Sequence, residues 1–179
     1  MNLPNKLTLF RIILIPFFIF FMLTDLCGAA GRFIALGIFA VASLTDMLDG
    51  KIARKYNLIT NFGKFMDPIA DKLLVCSALI VFVQLGSLPA WIVVIFIARE
   101  FIISGFRLVA SDSGIVLAAS WWGKFKTVFQ MIMCLLLIID LDYPAVNITE
   151  QVFIYISLAL SIVSLVDYLV KNRKVISDM

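Results

Sequence analysis

The chain contains no histidine. That excludes histidine-based triads, imidazole metal sites and histidine proton shuttles together. Its three cysteines, Cys27, Cys76 and Cys134, are isolated, odd in number and without CxxC spacing. They read as small apolar fillers, with neither a disulfide framework nor a zinc site expected. Charge is scarce as well: Asp, Glu, Lys and Arg make up 15% of the 179 residues, against about 25% in an ordinary soluble domain. The net charge is +3, and the absence of a basic tract with interleaved aromatics argues against a nucleic-acid partner. Any chemistry has to come from carboxylates, amines, guanidinium groups and hydroxyls.

Apolar residues dominate. The chain is 63% hydrophobic, with sixteen Phe and a mean hydropathy of +1.06, which places it in the integral membrane class. Apolar runs fall at about 9–24, 33–52, 64–86, 89–110, 123–140 and 152–170, each near the roughly 20 residues that cross a bilayer. The expected fold is an all-α integral membrane protein of six transmembrane helices, forming a single domain over residues 1–179. Lys6 and Arg11 ahead of an apolar stretch, and Gly28, Ala29 and Ala30 after it, resemble a signal peptide,; we read residues 9–24 as the first span. GSLP at 86–89 predicts a tight turn, and Pro144 interrupts the segment before the last span,. The halves carry no convincing internal repeat, so inverted-repeat transport architecture gains no support.

Charge sets an orientation. Lys6 and Arg11; Lys51, Arg54, Lys55 and Lys64; Arg107, Lys124 and Lys126; and Lys171, Arg173 and Lys174 occupy alternate connections and ends. The opposite connections hold Arg32 with Asp25, no charge in GSL, and then Asp140, Asp142 and Glu150. The excess of cations predicts that both termini and the 52–64 and 110–123 loops are cytoplasmic.

Within this apolar chain the segment DMLDGKIARKYNLITNFGKFMDPIAD, residues 46–71, carries four aspartates. A carboxylate at a helix centre costs roughly 2.5–3.5 kcal/mol on insertion scales, so their presence requires a reason. Asp46 and Asp49 are three apart, and Asp67 and Asp71 four apart; either spacing puts two side chains on one helix face. Two antiparallel spans joined by the 52–64 loop bring the pairs together, with Asp46 roughly 9 Å from the cytoplasmic edge at 1.5 Å per residue. Converging carboxylates repel unless cations neutralise them. An all-oxygen set suits two hard divalent cations, Mg²⁺ or Mn²⁺, that bridge phosphates. The plainer alternative is pairing of each Asp with Lys51, Arg54, Lys64 or Lys72. Gly50, Ala53 and Gly63 are small enough for close approach of a ligand, though helix packing also accounts for them. Arg54, one turn beyond Gly50, can fork onto a phosphate.

The pattern D-x2-D-G-x2-A-R-x8-G-x3-D-x3-D is filled by Asp46, Asp49, Gly50, Ala53, Arg54, Gly63, Asp67 and Asp71. It resembles the signature of the CDP-alcohol phosphotransferases. The resemblance implies a six-span homodimer that joins an alcohol to a CDP-activated lipid and releases CMP. It implies that Asp46, Asp49, Asp67 and Asp71 hold two metals and that Asp71 also takes the proton of the acceptor hydroxyl. It further implies that Gly50, Arg54 and Thr60 contact the CDP moiety of CDP-diacylglycerol. The opening PNKLT resembles, more loosely, the family's first element, which places Asn5 and Thr8 at the nucleotide.

The segments REFIISGFRLVASDSG (99–114) and ASWWGKFKTVFQ (119–130) resemble the branch of that family whose acceptor is sn-glycerol 3-phosphate. Arg107, Lys124 and Lys126 are then expected to bind the acceptor phosphate. Positive-inside anchoring and headgroup contact form the alternative. Glu100 and Arg107, seven apart, are expected on one polar wall, and Trp121 and Trp122 at the membrane interface. Arg99, near the middle of the fourth span, needs a partner, for which Asp167 or the metal-site carboxylates are the candidates. Relatives of the cardiolipin synthase type, whose acceptor is phosphatidylglycerol, are the nearest alternative. A cation transporter using the aspartate cluster, or a scaffold with Asp–Arg pairs fixing helix register, are the readings outside the family. The expected location is the cell membrane, multi-pass, with the active site facing the cytoplasm.

Overall fold

A computed structural model describes the backbone of residues 2–24, 26–55, 61–112, 120–141 and 143–173. Within these, the side chains of 4, 29, 47–55, 61–65, 67, 68, 111 and 112 fall outside the description. The described residues form six helices: α1 (Leu3–Leu23), α2 (Ala29–Lys55), α3 (Asn61–Gln84), α4 (Ala90–Asp112), α5 (Trp121–Ile139) and α6 (Pro144–Lys171). All six expected apolar runs lie on these helices.

Among the described residues, three helices are both long and apolar enough to cross a membrane: Asn5–Leu23 within α1, Trp121–Ile139 and Pro144–Lys171. Large apolar side chains stand exposed along their outer faces, among them Phe10, Phe17, Val128, Tyr155 and Val166. Water would penalise such surfaces, whereas lipid accommodates them.

The helices fall into two compact units, Met1–Ser87 and Leu88–Met179. In the first, α1 packs on both α2 and α3, and α2 meets α3. The buried face of α1 runs Asn5, Thr8, Arg11, Ile15, Phe18 and Met22, the three-and-four spacing of one helical stripe. Its lower half is apolar: Phe18 and Phe39 of α2 stack with ring centroids 5.7 Å apart. Small residues at Ala35, Ala42, Ala70 and Ala78 are fully buried and let the helices approach closely. In the second unit, α6 packs on α4 and α5 around Phe96, Met133, Cys134, Ile138 and Ile154. The cysteines are free thiols, Cys27 exposed and Cys134 buried.

Helix ends follow local chemistry. At the close of α3, the Gly86 N–H donates to the Val83 carbonyl at 3.1 Å and the Ser87 N–H to the Phe82 carbonyl at 2.9 Å. With Gly86 at φ +76°, this is the double-bonded stop that glycine favours, and the expected GSLP turn is its continuation. The Ser120 side chain caps α5 by accepting from the Gly123 N–H at 3.1 Å,. Helix α6 begins at Pro144 rather than near 152, because proline is well suited to the first helical position, where no N–H is needed. The polar turn with Asn147, Thr149, Glu150 and Gln151 therefore extends the helix beyond its apolar run.

Candidate active site

The first unit assembles the acidic motif from helix α1 upward. Asp46, Asp49, Gly50 and Arg54 lie on the helical backbone of α2, and Asp67 and Asp71 on that of α3. The helical spacing behind the two-pair reading is thus present. Of the four carboxylates, the described side chains are those of Asp46 and Asp71, the latter exposed. The side chains of Asp49, Arg54 and Asp67, the surroundings of Gly50, and all of Thr60 lie outside the described residues.

Asp46 is held from below. Arg11 Nη1 donates to Asp46 Oδ1 at 2.7 Å. The Arg11 side chain is 0% exposed, and that of Asp46 is 38% exposed. A desolvated guanidinium is costly unless it is paired, so this bond anchors both groups. Asn5 and Thr8 are buried on the same face of α1, two turns and one turn before Arg11. The nearby hydroxyls turn back on their own helix: Ser43 Oγ donates to the Phe39 carbonyl at 2.8 Å and Thr45 Oγ1 to the Ala42 carbonyl at 2.7 Å. Sequence reasoning offered Lys51, Arg54, Lys64 and Lys72 as partners for the aspartates and missed Arg11. The signal was the spacing of Asn5, Thr8 and Arg11, three residues apart along one stripe.

The second unit carries a separate polar cluster. Arg99 Nε donates to Ser164 Oγ at 3.0 Å and Arg99 Nη1 to Glu100 Oε1 at 2.9 Å. Lys126 Nζ donates to the same Glu100 oxygen. The Arg99 and Lys126 side chains are 9% and 3% exposed, so two buried cations share one carboxylate. Gly123, one turn before Lys126, makes room for this: a Cβ there would sit 3.3 Å from Arg99 Nη2. In the same unit, Gln130 Nε2 and the hydroxyls of Ser157, Ser161 and Tyr168 are buried with no hydrogen bond to the described residues.

This corrects the expected partner of Arg99. It pairs with Glu100 and Ser164, and Asp167 is bonded instead to Lys171 at 2.7 Å, one helical turn along α6. The local i,i+4 geometry favours that pair. The three cations expected at the acceptor phosphate sit in different surroundings. Lys126 is buried against Glu100. Lys124 is exposed, with Nζ 4.5 Å from the Trp121 ring centroid, and Arg107 is exposed, its guanidinium carbon 5.7 Å from the Tyr168 centroid. Trp121 and Trp122 are exposed, as interfacial anchors are.

Buried cations paired with carboxylates on helices this apolar suit a membrane protein that handles a charged ligand. The sequence profile of the CDP-alcohol phosphatidyltransferases matches residues 1–163, and the chain belongs to that family of membrane enzymes. It is 43% identical to the CDP-diacylglycerol–glycerol-3-phosphate 3-phosphatidyltransferase of Bacillus subtilis, over 96% of this chain and 95% of that protein. It is 39% identical to the protein of the same name from Haemophilus influenzae, over 94% and 91% of the two chains. A probable phosphatidylglycerophosphate synthase of Mycobacterium tuberculosis is 38% identical over 95% of this chain and 81% of that one. Membership in a transferase family removes the basis for the transporter and scaffold readings.

Proposed function

We propose that the chain transfers the phosphatidyl group of CDP-diacylglycerol to sn-glycerol 3-phosphate, giving phosphatidylglycerophosphate and CMP, a step of phospholipid biosynthesis. The observation that carries this reading is the complete eight-position motif on α2 and α3, in a chain whose full-length relatives bear that activity in their names.

The donor set fits a hard divalent cation: the motif supplies only carboxylate oxygens, and the described pair, Asp46 and Asp71, is open to solvent,. Asp46, Asp49, Asp67 and Asp71 would hold two such ions, Mg²⁺ or Mn²⁺, which when bound neutralise the pyrophosphate and the leaving group. Gly50, Arg54 and Thr60, with Asn5 and Thr8 on α1, bind the CDP moiety. Arg107, Lys124 and Lys126 take the phosphate of glycerol 3-phosphate as charge-assisted donors. Asp71 accepts the proton of the C1 hydroxyl. That oxygen forms a bond to the β-phosphorus of CDP-diacylglycerol, the bond from that phosphorus to the bridging oxygen breaks, and CMP departs with the bonding pair.

The whole chain works as one catalytic domain, a reading supported by a family match that runs across both compact units. A six-span reading is supported by six helices of at least 19 residues, each about 28 Å or longer at 1.5 Å per residue. The cation bias puts both termini and the active site on the cytoplasmic face of the cell membrane. The family resemblance extends to a homodimer.

The test is CMP release by purified protein with CDP-diacylglycerol and Mg²⁺, comparing glycerol 3-phosphate with glycerol, inositol, serine and phosphatidylglycerol. Release with glycerol 3-phosphate alone is expected. Release with phosphatidylglycerol alone would make the protein cardiolipin-forming and overturn the roles of Arg107, Lys124 and Lys126. In the same assay Asp71→Asn should lose at least about 10²-fold in turnover, the usual contribution of a general base; full turnover would remove its role.

A further inference from the structure

We propose that Arg11 is the positioning residue for the Asp46 carboxylate, clamping Oδ1 from helix α1 so that Oδ2 is left for a divalent cation. The inference rests on the metal reading above and adds to it a residue outside the acidic motif.

Three observations carry it. The ion pair is short, 2.7 Å, and runs through Oδ1, which leaves the second oxygen outside it. The guanidinium is wholly buried, while the carboxylate it grips is more than a third exposed; the fixed partner is the arginine and the accessible one the aspartate. The helix that carries Arg11 is itself fixed against α2 two turns further along, where Phe18 and Phe39 are both fully buried and stack at 5.7 Å. A carboxylate gripped in this way has lost its rotational freedom before a metal arrives. Groups behind a metal ligand commonly act so, and their loss costs 10- to 100-fold in affinity.

The same contact could have the opposite sign. Were Arg11 a mere counter-charge to Asp46, its positive charge would oppose a dication, and weakening the pair would tighten metal binding. Arg11→Lys separates the two, because it keeps the charge and loses the planar fork that sets the carboxylate orientation.

The experiment measures Mn²⁺ binding to the full chain in detergent micelles, without substrate, from the loss of the free-ion paramagnetic resonance signal, and records thermal unfolding without metal alongside. Arg11→Lys should weaken Mn²⁺ about tenfold or more with the folded state retained. Asp46→Asn should weaken it too, and Arg11→Lys should cost much less in the Asp46→Asn background than in the parent chain, since the clamp works through that carboxylate. Unchanged or tighter Mn²⁺ binding in Arg11→Lys would overturn the proposal, as would additive losses in the double variant. An Arg11→Lys chain that does not fold would also overturn it, making Arg11 a residue of the fold alone. Failure of the unsubstituted chain to bind Mn²⁺ would instead sink the metal reading itself.

Discussion

Glu100 carries more electrostatic weight than its place in the sequence announces. One of its oxygens receives both Arg99 and Lys126, so the cluster has a net charge of one rather than two. Breaking a buried ion pair by removing one partner typically costs 3–5 kcal/mol, because a charge is left buried without compensation. Glu100→Gln keeps the shape and one acceptor oxygen but removes the negative charge. We expect it to destabilise the protein by about 3 kcal/mol, read as a lowered midpoint of denaturant unfolding in micelles. Arg11 and Asp46 make the equivalent bond in the first unit. Neither pairing was legible in the sequence, although all five residues drew attention there, because ion-pair partners 26 and 35 positions apart are chosen by how each helix is rotated about its axis. The acidic motif was legible in full, since its spacing works within single helices.

At the level of elements, turn chemistry and apolar length defined the helices to within a turn at most ends. The exceptions have a common cause. Helices α1 and α6 begin six and eight residues before their apolar runs, at Leu3 and Pro144, because hydropathy reports the lipid-crossing part of a helix and is silent on its polar overhang. Proline near the first position of each then serves as a start signal. The stop at Gly86 is equally specific. Its φ of +76° is unfavourable for any residue with a Cβ, while nothing lies within 4 Å of where that atom would be. Gly86→Ala should therefore cost about 1–2 kcal/mol through backbone strain alone, with no loss from packing. Equal stability of the variant and the parent chain would show that the turn relaxes to another conformation.

For the whole molecule, the orientation can be tested with the cysteines already present. Cys27 is exposed between α1 and α2, whereas Cys134 is buried. With both termini cytoplasmic, the connection bearing Cys27 faces outward. A membrane-impermeant thiol reagent added to intact cells should modify Cys27 and spare Cys134. Modification of Cys27 only after the cells are opened would reverse the topology, and with it the cytoplasmic active site.

Composition and spacing alone determined the class of protein, the helical character of each segment and the acidic motif through which the chain resembles its family. Those are properties of single helices or of short intervals along the chain, where hydropathy and the helical repeat act locally. Tertiary structure decided which charge meets which: Arg11 with Asp46, Glu100 with Arg99 and Lys126, and Asp167 with Lys171. Burial makes an unpaired charge costly, and packing determines which opposite charge is close enough to relieve it.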